Sequence, residues 1–123
     1  MAREKKLQDK CIAYLKSQGI YYLNLYGDGF SGKGKPDLLT CINGRFVAFE
    51  LKVGSNDMQD DQKIHKMRIE RSGGLHYAPY TLTEFIEIVE EVRHDISKRD
   101  YRGTSRGLAK KQLNECRQKG QKI

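Results

Sequence analysis

Residues 37–52 read DLLTCI, then NG, then RFVAFELK. Asn43-Gly44 between two apolar runs is a strong hairpin signal, because a type I′ turn needs positive φ at both central residues. With Ile42 set against Arg45, counting outward from the turn places Asp37 opposite Glu50. Residues directly opposite share a face, with Cβ atoms roughly 4.5–5.5 Å apart. Two carboxylates at that spacing repel unless positive charge lies between them. Lys52 shares the face of Glu50 by the period of two. An Asp, a Glu and a Lys at one hairpin end suggest a divalent-metal site for hydrolysis. In the second strand Val47, Phe49 and Leu51 face one way and Phe46 and Ala48 the other, so it reads as a central strand covered on both sides.

Outward from the hairpin, residues 3–18 read as a helix with Leu7, Cys11, Ile12 and Leu15 on one stripe, stopped by Gly19. Residues 20–26 (IYYLNLY) form a β-rich strand. A Gly/Lys loop then leads into Pro36-Asp37. A second helix is expected over residues 56–72, with Asp57, Asp60 and Asp61 early and Lys66, Arg68 and Arg71 late, as the helix dipole favours. Residues 75–80 make a short strand. Thr81 and Glu84 form a capping box opening a third helix whose buried stripe is Leu82, Phe85, Ile86, Val89 and Val92. The expected class is α/β, with a central mixed sheet flanked by helices.

At 123 residues the chain holds one core. It has no long apolar run for a membrane span and no signal-peptide pattern. Cys11, Cys41 and Cys116 are odd in number and lack CxxC spacing, which argues for a reducing cytoplasm and for ordinary small apolar roles. The net charge of +7 is uneven. Residues 1–92 carry 13 Lys/Arg and 13 Asp/Glu, whereas residues 93–123 carry 10 and 3. A balanced domain over 1–92 with a basic tail over 93–123 suits a polyanion, and Arg99, Arg102, Arg106, Lys110 and Lys111 are the tail's candidate DNA contacts. The tail also reads as a solvated segment aiding solubility, or as one weak amphipathic helix.

Hydrolysing a phosphodiester sets a weak nucleophile against an anion, and a divalent ion eases both difficulties. Hard oxygen ligands suit Mg²⁺ or Mn²⁺. Asp37, Glu50 and the Leu51 carbonyl are the candidate ligands, and Lys52 the group that orients water or stabilises phosphoryl charge. The bland alternative is a turn aspartate after Pro36 beside a solvated strand end. Residues 27–33 match G-x-x-x-x-G-K, but Gly34 replaces the Ser/Thr and a Pro and a strand follow, which speaks against a nucleotide-binding loop. A mobile loop carrying Lys33 and Lys35 over the substrate backbone fits better. His65, His76 and His94 are isolated, and His65 falls on a stripe with Met58, Gln62 and Ile69, a packing position. Tyr21, Tyr22 and Tyr26 suit packing more than base stacking.

Gly34-Lys35-Pro36-Asp37 followed by Glu50-Leu51-Lys52 resembles the PD-(D/E)xK nuclease signature, with the fit closest to the virus-type replication-repair nuclease (VRR-NUC) family. Glu4 and Gln8 in the first helix, Gly19 after it, Gln62 in the second helix and Gly73 beyond it extend the resemblance over residues 3–92. It implies a restriction-endonuclease-like α-β-β-β-α-β-α core and metal-dependent DNA cleavage. By the same resemblance Asp37 and Glu50 are ligands, Lys52 is catalytic, Gln62 is an accessory active-site residue and Glu4 an extra acidic ligand. It further implies a homodimer acting on branched DNA such as Holliday junctions, in the cytoplasm of a bacterial or phage-infected cell. The competing class is a non-catalytic DNA-binding or recombination-accessory protein that works through the tail. An RNA-directed nuclease stays open, because no residue reads a 2′-hydroxyl recognisably.

Overall fold

Asn43 and Gly44 have φ of 54° and 74°, as the turn chemistry demands. The Asn43 side-chain amide also donates to the Val92 carbonyl at 3.0 Å, tying the turn to the helix Leu82–Arg93. The strands pair from Ile42↔Arg45 to Leu38↔Phe49, the register counted from the turn. The computed structural model describes residues 3–25, 33–54 and 58–96, with side chains from Lys5 onward.

Along the chain these residues form α1 (Arg3–Ser17), β1 (Tyr21–Asn24), β2 (Leu38–Ile42), β3 (Arg45–Phe49), α2 (Asp60–Arg71), β4 (Leu75–Tyr77) and α3 (Leu82–Arg93). The element order is the expected one. One sheet runs β1-β2-β3-β4, antiparallel across the first three strands and parallel between β3 and β4, hence mixed. These elements lie in a compact unit that ends at Arg93, and of the unit that follows only residues 94–96 are described. Among the described residues no helix is long and apolar enough to cross a membrane.

The core lies on one face of the sheet. Leu38, Ile42, Val47, Phe49 and Leu51 point there, as alternation requires, and meet Leu7, Cys11 and Leu15 of α1 with Phe85, Val89 and Val92 of α3. Phe85 sits with its ring centroid 4.6 Å from that of Phe49 and edge-on to Tyr14 at 6.5 Å. Each buried Phe contributes roughly 1.5–3 kcal/mol. The Cys11 thiol is pushed up to about 12 by burial, which leaves it an inert packing group.

Several expectations need correction. Cys41 is exposed rather than packed, and Cys116 and Tyr26 lie outside the described residues. Tyr22 packs against the core as expected, whereas Tyr21 is exposed. Ile88, not Ile86, joins the α3 stripe, three residues past Phe85 and four before Val92 on one helix face. The second helix begins at Asp60 instead of residue 56, with Gln59 as its N-cap. Phe46 is 48% exposed instead of covered. That follows from the docking of α2, which packs along β4 and contributes no fully buried residue.

Candidate functional site

The site forms where the β2–β3 hairpin runs out of sheet. The assigned β3 ends at Phe49, yet the chain stays extended, with Glu50 N–H donating to the Tyr77 carbonyl (2.9 Å) and Lys52 N–H to the Pro79 carbonyl (3.0 Å). The intervening Leu51 N–H points the other way and donates to the Asp37 carboxylate at 2.8 Å. A side chain thus replaces a strand at the end of the ladder. Asp37 is held by its backbone on both sides, receiving Leu25 N–H at its carbonyl (2.8 Å) and donating its own N–H to the Phe49 carbonyl (3.0 Å). One step past Leu38↔Phe49, it stands level with Glu50, as counted from the turn.

Glu50 and Lys52 are each only 5% exposed. Burying two charges costs several kcal/mol unless polar partners compensate. Gln62 of α2 is such a partner for both. Its amide nitrogen donates to the Glu50 carboxylate at 2.9 Å, and its carbonyl accepts from the Lys52 ammonium at 2.6 Å. The same carbonyl accepts Gln59 N–H at 2.9 Å, the reach-back bond of a capping box. One side chain therefore starts the helix and bridges the acid and the cation of β3.

The loop before Asp37 reaches α2 as well. Gly34 has φ of 83°, and a Cβ placed on it would lie 2.5 Å from the Asp61 backbone carbon. Only glycine lets the loop come so close in that conformation. Gly34→Ala is expected to cost about 1–2 kcal/mol from the left-handed backbone alone, with more from the overlap. A drop in melting temperature on that scale checks this, and an unchanged melt would mean that the loop is not docked on α2.

Of the residues expected from sequence, Asp37, Glu50, Leu51, Lys52 and Gln62 come together. Lys33 does not join them: its ammonium lies 3.8 Å from the Asp61 carboxylate, and its side chain is 93% exposed. Lys35 is half-buried in the same loop. Glu4 falls in the first turn of α1, with its side chain outside the described atoms, and Arg99, Arg102, Arg106, Lys110 and Lys111 lie outside the described residues. No group of three or more His, Cys, Asp or Glu side chains gathers among the described residues. Gln8, named only through the resemblance, and His76 are buried polar residues whose burial was not expected from sequence. Gln8 donates its amide to the Asn24 side chain beside the strand end. His76 lies on β4 beneath α2, opposite Ala48. A polar side chain within an apolar stripe was the available signal for Gln8; for His76 there was none.

No family model and no curated protein matches the chain. A solved structure described as a VRR_NUC domain superposes on it with a TM-score of 0.61, over 73% of this chain and 97% of that one. This chain has the VRR_NUC fold. Sequence identity over the match is 20%, so what the two share is architecture. Within the VRR_NUC fold of this chain, the sheet end that carries Asp37 and Glu50 is also where α2 delivers Gln62.

Proposed function

We propose that the protein is a Mg²⁺- or Mn²⁺-dependent DNA endonuclease. The observation that carries this reading is the buried Glu50–Gln62–Lys52 bridge at a sheet end whose next ladder position is Asp37. The donor set fits a hard cation: two carboxylates and the Leu51 carbonyl are all oxygen, and Mg²⁺ typically takes one or two carboxylates and keeps several waters. Asp37, Glu50 and the Leu51 carbonyl would hold the ion, with Glu4 as an additional acid. When bound, it would acidify water and offset charge developing on the phosphate. Lys52 would present its ammonium to the water or to a phosphoryl oxygen, aimed by the Gln62 carbonyl. Gln62 acts as a positioning residue, restraining both flexible side chains of β3 at once.

The VRR_NUC fold supports a nuclease-type domain, and Asp37, Glu50 and Lys52 of this chain meet at one sheet end. Selectivity for branched DNA such as a four-way junction, and a homodimer setting two sites on two strands, belong to the same proposal. The basic segment over 93–123 would add salt-sensitive attraction to that of the domain over 1–92 through Arg99, Arg102, Arg106, Lys110 and Lys111, and Lys33 and Lys35 of the loop before Asp37 would add their own. The charge imbalance of that segment also favours a second reading, a non-catalytic binder. Labelled junction, flap and duplex DNA, incubated with and without Mn²⁺, separates the two. Mapped cuts support the enzyme, and binding with a steep salt slope and no cutting supports the binder.

Gln62→Ala removes the acceptor of Lys52 and a donor to Glu50. We expect cleavage to slow about 10- to 100-fold, the usual cost of losing an orienting partner behind a metal ligand, with the Mn²⁺ titration shifted to higher concentration. Wild-type rates in this variant would mean that the bridge is structural only.

A further inference from the structure

We infer that the open face of the sheet beside the acid cluster is a stacking platform for unpaired nucleotides; as an account of substrate choice, this rests on the nuclease reading. Because α2 packs along β4, it leaves Tyr21, Leu23 and Phe46 at 66%, 45% and 48% exposure. Tyr21, Cys41 and Phe46 are cross-strand partners in one row. Phe46 shares its face with Glu50 by the strand period. Strand spacing sets the two aromatic positions about 10 Å apart across the row. Asp37 lies four residues before Cys41, on the same face and about 13 Å from the row.

Two grooves meet at Phe46. One, of about 270 Å³, runs between Tyr21, Leu23 and Arg45. The other, of about 520 Å³, lies between Phe46 and the α2 residues His65 and Arg68. Among the described residues neither groove is lined by a carboxylate, whereas the groove at the start of α2 holds Asp60 and Asp61. Exposed rings beside the Arg68 guanidinium, with no acid lining either groove, complement flat bases joined by phosphates. A second copy of the chain fits less well. A two-fold interface would set this face against itself, bringing Arg68 toward its own copy with no carboxylate lining the groove between them. Bases inside a duplex are already stacked, so the fitting partner is a single-stranded segment such as a flap.

The test measures binding of a labelled single-stranded oligonucleotide and of a blunt duplex of equal length, in chelator so that hydrolysis plays no part. The wild type is expected to prefer the single strand, Phe46→Leu to lose about tenfold in affinity for it, and Phe46→Tyr to restore it. Leucine keeps apolar bulk at this half-exposed position, and a melting curve confirms that the variant folds. Unchanged single-strand affinity in Phe46→Leu would overturn the platform, as would a wild-type dimer that this substitution dissociates in sedimentation. The two readings fail separately. Stacking without any Mn²⁺-dependent cutting removes the enzyme and keeps the platform; cutting with a Phe46→Leu variant that binds like wild type does the reverse.

Discussion

Asp37→Asn is expected to fold like the wild type and to cut DNA at least about 1,000-fold more slowly, roughly 4 kcal/mol of lost transition-state stabilisation. Asparagine has nearly the shape of aspartate and keeps an oxygen able to accept Leu51 N–H, the 2.8 Å bond that closes the ladder. What disappears is the negative charge. A structural aspartate would tolerate that exchange, since a neutral acceptor still satisfies the amide, at a cost of about 1 kcal/mol. A ligand would not, because a divalent ion draws its affinity from carboxylate charge. Initial rates on a labelled junction in Mn²⁺, beside melting curves for both proteins, give the answer. Comparable rates would remove Asp37 from the metal site and the nuclease reading with it.

The second large effect concerns acid stability. His76 is 2% exposed, and neither ring nitrogen finds a hydrogen-bond partner among the described residues. Its pKa is pushed down from 6.5 to about 4, first by burial and then by the Lys66 ammonium. Lys66 donates to the His76 carbonyl at 2.9 Å, and Glu70 opposes the shift while His65 adds to it. In the unfolded chain this imidazole takes a proton near pH 6.5; in the fold it resists until about pH 4. Below pH 6.5 the unfolded state therefore binds more protons. Stability is full above that value and falls as pH drops toward 4, by on the order of 3 kcal/mol.

His76→Leu should flatten that part of the pH dependence. It should cost little at pH 7.5, because it also removes two unsatisfied polar atoms from the interior. Urea unfolding of both proteins at pH 7.5 and 4.5 isolates the difference from ordinary carboxylate titration. Equal losses in the two would show that His76 is not the group responsible. The imidazole lies in the layer under α2, so the same acid weakening should loosen the helix that presents Gln62.

Much of the site was legible because its determinants are local. Asn43-Gly44 specifies the turn, and the turn specifies the register. A period of two then carries Asp37, Glu50 and Lys52 to one end of the hairpin without any distant contact. Capping was nearly as legible, since Thr81 Oγ1 does accept Glu84 N–H at 3.1 Å. The Glu84 carboxylate, however, accepts from Tyr80 N–H, one residue earlier than the box predicts. Gln62 was expected only through resemblance, because nothing in a helical repeat says which polar residue will face a strand end.

By itself, then, the amino-acid sequence determined the hairpin, its register and the meeting of two acids and a lysine, because turn geometry and strand alternation act over neighbouring residues. Tertiary structure decided how α2 lies on the sheet. That docking buries Glu50 and Lys52, aims the Gln62 amide at both, presses Gly34 against Asp61, traps His76 and leaves Phe46 open. Such a docking angle results from many weak long-range contacts, which no local pattern in the chain encodes.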